Sequence, residues 1–149
     1  YLNIFKNNMA NLGQEFAEML TERYRNRKID DIPEHINKLS IAFDTFNRKN
    51  HFMAGDIVVW KTGLKNKIRP ALNEPCIVIE MLEKPLYDIT KESGTAFFNE
   101  PLDLVLGTID TEGDFTIYYY DKRRFTHIEN SYTEYDIDKD NVNWTEVLK

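Results

Sequence analysis

A chain of 149 residues with 42% apolar and 30% charged content can build one domain with a sizeable core, or a small domain plus an appendage, and is not disordered throughout. Its longest apolar runs, such as Ile57–Trp60 and Ile77–Ile79, fall far short of a membrane span, and the single cysteine, Cys76, excludes an internal disulfide and fits a reducing cytoplasm. The net charge of −6 disfavours long-range attraction to phosphate and points to a protein partner; residues 1–50 sum to +1, so the acidic excess lies in 51–149.

Phe5, Met9, Leu12, Phe16 and Met19 recur at helical spacing, with Ile4, Ala17 and Leu20 widening the same face. Gly13 interrupts this helix, and a close backbone approach is expected there. Asp30-Asp31-Ile32-Pro33-Glu34 then stops one helix and starts another: an Asp caps, Pro33 fits the first turn, and Glu34 suits the N-terminal end. Ile32, Ile36, Leu39, Phe43 and Phe46 repeat the seam, so the two segments predict an antiparallel helical hairpin. Two helices alone do not bury two seams, and the hairpin is expected to lie on the rest of the chain or on a second copy.

Phe52-Met-Ala-Gly-Asp-Ile-Val-Val-Trp60 follows, a Gly-Asp turn feeding a β-branched and aromatic run that predicts a strand. Lys61 to Pro75 predicts a long loop carrying Lys61, Lys65, Lys67 and Arg69. Cys76–Leu82 predicts a central strand from its apolar density, and 83–100 an irregular connection with Phe97 and Phe98. Leu102–Ile109 and Phe115–Tyr120 flank Asp110-Thr-Glu-Gly-Asp114 and predict a hairpin. Asp121–Arg124 predicts a tight turn and Phe125–Ile128 a last short strand. From Glu129 the chain is acidic, and Trp144 with Leu148 offers a docking piece. The organisation expected is α+β: a helical hairpin over 1–50, a small bent barrel over 51–128 and an acidic tail over 129–149. The chain opens at Tyr1 rather than Met, and Tyr1–Phe5 lacks the features of a secretory signal, so a further N-terminal stretch is expected.

Gly55-Asp56-Ile-Val-Val, the loop, the apolar second strand and the late hairpin resemble Src-homology-3-like barrels over roughly residues 52–128. Within such barrels, Gly55-Asp56-Ile-Val-Val-Trp60, a basic loop and Arg69-Pro70-Ala71 are similar to MazF/PemK-type toxin endoribonucleases. That resemblance implies RNA cleavage with Arg69 stabilising charge on phosphate. The chain differs from the pattern in two places. Leu72-Asn-Glu-Pro75 separates Arg-Pro from the strand, and Glu83-Lys84 stands where a catalytic Thr or Ser is expected.

Other candidate chemistry is sparse. Asp136-Ile-Asp-Lys-Asp140 spaces carboxylates like a calcium loop, yet Asn141 and Val147 replace its glycine and final glutamate, so an acidic tail is expected. His35, His51 and His127 lack metal-site spacing, and neither metal nor cofactor is expected. Cys76, opening a buried strand, fits an inert core residue. Tyr118, Tyr120, Arg123 and Arg124 mix aromatic and basic groups as a single-stranded RNA surface would. The alternative is that alternation puts one tyrosine face in the core and that Arg123 and Arg124 meet acids such as Asp121 or Asp103. Trp60 with the loop cations completes the binding candidates.

The leading expectation is a non-catalytic binding or accessory subunit of a bacterial or phage-like system, cytoplasmic and acting through protein–protein contacts or homo-oligomerisation. The helical seams would form the interface, and loops 61–75 and 83–100 would touch a partner. The alternatives are a MazF-like endoribonuclease and a nucleic-acid-binding barrel.

Overall fold

The computed structural model describes residues 13–23 and 27–131 of the chain. Phe5, Met9 and Leu12 of the first seam, the Asp136–Asp140 cluster, Trp144 and Leu148 lie outside the described residues. The fold is α+β: an N-terminal helical hairpin followed by a five-stranded antiparallel sheet. Helix α1 occupies 13–23, and helix α2 spans Ile32–Asn47. Asp31 caps α2 by accepting the Glu34 N–H at 3.0 Å, with Pro33 in the first turn. Among the described residues nothing approaches within 4 Å of the position a Cβ would take on Gly13.

The strands are β1 (Ile57–Trp60), β2 (Cys76–Leu86), β3 (Leu102–Ile109), β4 (Phe115–Tyr120) and β5 (Phe125–His127), in the order β4-β3-β2-β1-β5. Strand β2 runs four residues beyond its expected end at Leu82. Register shifts between Val78 and Glu80 and between Met81 and Leu86 interrupt the ladder, which lets Pro85 sit in a sheet it would otherwise break. A short 3₁₀ turn, Lys122–Arg124, joins β4 to β5, which returns to pair with β1 through Val58↔His127 and Trp60↔Phe125.

Period-two alternation sends one face of each strand inward. Val58, Trp60, Cys76, Val78, Leu104, Leu106, Tyr120 and Phe125 form the core with Phe52. Trp60 stacks on Phe125 at 4.2 Å between ring centroids and meets Tyr120 edge-on at 5.6 Å.

The Gly55-Asp56 turn that starts β1 is built into this frame. Asp56 Oδ2 accepts the Met53 N–H at 2.8 Å and lies 3.0 Å from His127 Nε2 on β5. The Met53 hydrogen bond, then His127, holds the Asp56 carboxyl below its ordinary value. A carboxylate lowered in the fold stabilises above its unfolded pKa and loses that contribution as pH falls through the folded one. Acid unfolding followed by circular dichroism is therefore expected to show a steeper loss below about pH 4 for the parent than for Asp56→Asn. Parallel acid curves would remove Asp56 from this role.

Candidate functional site

Helix α2 meets the sheet at its C-terminal turn. That turn contains no basic residue of its own. The cation arrives instead from the end of β1: Lys61 Nζ donates to Thr45 O at 2.7 Å and Arg48 O at 2.8 Å. Lys61 is only 4% exposed, and burial, followed by Arg48, lowers its pKa. Phe46 closes the joint beneath the Arg123 and Arg124 guanidiniums, 4.5 and 5.5 Å from its ring. Asn50 Nδ2 adds a bond to Phe125 O at 3.1 Å.

Among the described residues the rest of the α2 seam has no such cover. Ile32, Ile36, Leu39 and Phe43 are 55, 58, 58 and 67% exposed, and no residue of α2 is buried. On α1, Phe16 is half-buried with the Lys65 ammonium 5.4 Å from its ring, while Met19 is exposed. An apolar stripe left in water at helical spacing marks a contact surface.

The basic loop has a different fate from the one its composition suggests. Trp60, Lys61 and Tyr120 are core residues. Lys65 Nζ donates to Lys67 O, and Lys67 Nζ pairs with Glu100 Oε1 at 2.9 Å. Asn66 Nδ2 donates to the other Glu100 oxygen at 2.6 Å, and Arg124 reaches Leu64 O at 3.0 Å beside the same carboxylate. Arg123 forms a bidentate pair with buried Asp121, its shortest contact 2.7 Å. Each of these cations is engaged by a partner within the protein, Arg123 while still exposed at the surface. Glu100, which sequence reasoning passed over, is the group that gathers Lys67 and Arg124.

Arg69 is exposed, and its guanidinium donates to Tyr118 Oη at 3.0 Å. The two lie in a groove of about 210 Å³ with Thr108, Thr116, Glu74 and Asp110. The Thr108 and Thr116 hydroxyls are 2.9 Å apart on paired positions of β3 and β4. Neither threonine was a sequence candidate. The five-residue turn Asp110–Asp114 contained the signal, because it sets Ile109 against Phe115 and hence Thr108 against Thr116. Chemically the groove offers an arginine, hydroxyls and carboxylates, with no histidine among its lining residues.

Cys76 is 2% exposed and burial pushes its thiol up to about 12, which keeps it protonated and unreactive. Among the described residues no group of His, Cys, Asp and Glu is arranged to hold a metal, and no helix is long and apolar enough to cross a membrane. No family model, no curated protein and no solved structure matches this chain.

Proposed function

We propose that this chain is a non-catalytic binding subunit that works through protein–protein contacts, with the helical hairpin as its contact surface. The observation that carries this reading is the exposed stripe Ile32, Ile36, Leu39 and Phe43 on α2. A second amphipathic helical surface fits such a stripe, and two hairpins laid together make the smallest bundle that buries both seams. The internal engagement of Lys67, Arg123 and Arg124 supports the same reading over a nucleic-acid reader. The strand order, with β5 beside β1, supports the Src-homology-3-like description of 51–128. The lone buried Cys76 supports a reducing cytoplasmic setting.

A second reading, a toxin-like endoribonuclease, draws on the groove where Arg69 and the Thr108 and Thr116 hydroxyls line one surface. One experiment separates the two: light scattering on the purified chain with and without short RNA, and a nuclease gel from the same sample. The expected result is a dimer or larger species with intact RNA, reduced in mass by Phe43→Glu. Phe43 is two-thirds exposed, so circular dichroism is expected to stay unchanged in that variant. Cleavage that disappears in Arg69→Ala would overturn the binding-subunit reading in favour of the enzyme.

A further inference from the structure

Among the described residues strand β4 lies at one edge of the sheet. Its sequence, Phe-Thr-Ile-Tyr-Tyr-Tyr, holds six β-favouring residues with no charge and no proline. Its pairing with β3 runs from Ile109↔Phe115 to Leu104↔Tyr120 without a bulge. Proteins protect edge strands with lysines, prolines, bulges or a covering element, because a bare edge recruits another strand. None of the first three devices is present within β4.

The free groups can be assigned. The Asp110 N–H bonds to Asp114 O at 2.8 Å, so alternation along the hairpin turns the N–H and C=O of Thr116, Tyr118 and Tyr120 toward β3. Those of Phe115, Ile117 and Tyr119 point away from the sheet. The same three side chains are 54, 49 and 44% exposed, beside Ile109 at 61%. Open backbone and open apolar surface therefore coincide on alternate residues of one strand.

We infer that β4 pairs antiparallel with the β4 of a second copy of this chain, joining two sheets across a two-fold axis at Tyr118. This register sets Ile117 against the partner's Tyr119, a hydrogen-bonded pair on both sides of the axis. It also brings Asp114 toward the partner's Lys122, twice by symmetry, where both residues are exposed. A register centred one residue earlier, on Ile117, sets Glu112 rather than Asp114 against the partner's Lys122, so the Asp114→Lys variant reports which of the two registers forms. The occupant is a second copy because the edge is complementary to itself in shape, hydrogen bonding and charge.

This surface is separate from the helical seam, so the two succeed or fail independently. The test is sedimentation velocity on the full chain, in the parent and in a Phe43→Glu background that disables the seam. Ile117→Pro removes one outward N–H and no bond to β3, and edge strands accept such a proline. The expected result is a concentration-dependent association in both backgrounds, with mass halved by Ile117→Pro while circular dichroism is kept. Asp114→Lys, in an exposed turn, is expected to weaken the same association at least about tenfold at low salt, which decides the matter should the proline variant unfold. The proposal is overturned by a Phe43→Glu chain that stays monomeric at all concentrations. It is equally overturned by a folded Ile117→Pro chain, or an Asp114→Lys chain, that associates like its background.

Discussion

Replacing Lys61 with methionine is expected to lower stability by about 2 kcal/mol and to loosen α2 from the sheet. The ammonium supplies two charge-assisted hydrogen bonds to the last carbonyls of α2, which contains no basic residue in its own last turn. Methionine fills nearly the same space, so packing is preserved while Thr45 O and Arg48 O lose the ammonium. The loss is less than the sum of two such bonds because the variant no longer buries a charge. Urea unfolding gives the stability, and amide hydrogen exchange on α2 gives the docking. Faster exchange on α2 with β2 and β3 unchanged is the expected pattern.

A pH dependence follows from the same burial. Lys61 has a pKa lowered in the fold, so between that value and the ordinary lysine value the unfolded chain holds more protons. Stability from this group therefore rises with pH across that alkaline window, and the rise is absent in Lys61→Met. A variant with the parent's slope and unchanged exchange on α2 would show that Phe46 and Asn50 hold the helix without the ammonium.

Much of the fold is legible in local patterns, and the exceptions share a cause. The Gly55-Asp56 turn, the run Ile57–Trp60 and the hairpin about Asp110–Asp114 are fixed by neighbours in sequence, and the observed β1, β3 and β4 have the expected bounds. Asp31, Pro33 and Glu34 mark the start of α2 in the same way. The extension of β2 through Pro85 is not local, since it depends on register shifts against β3. The site suffers more from this limit. Lys61, Lys65 and Lys67 look alike in a basic loop, yet one is drawn to helix carbonyls, one to a loop carbonyl and one to Glu100. Trp60 offers the same ambiguity: alternation puts it on a face, and only β5 and β4 closing over it make that face the core.

Trp60 is also the residue whose loss is expected to cost most. Trp60→Ala removes the largest core side chain and its contacts with Phe125 and Tyr120, at about 4 kcal/mol. Trp60→Phe keeps much of the packing but leaves Pro70 O without the indole N–H that now reaches it at 2.8 Å, at about 2 kcal/mol. Tyr120 Oη holds the adjacent carbonyl, Arg69 O, at 3.0 Å. The Arg69–Pro70 segment thus hangs from two core aromatics, and the groove depends on the core for its shape. Chemical denaturation is expected to rank the variants in that order. Limited trypsin digestion is expected to cut faster after Lys65 and Lys67 in Trp60→Phe than in the parent, under conditions where both are folded. A less stable Trp60→Phe that is cut no faster would assign the loop's anchorage to Glu100 and its bonds with Asn66 and Lys67, leaving the tryptophan a packing role alone.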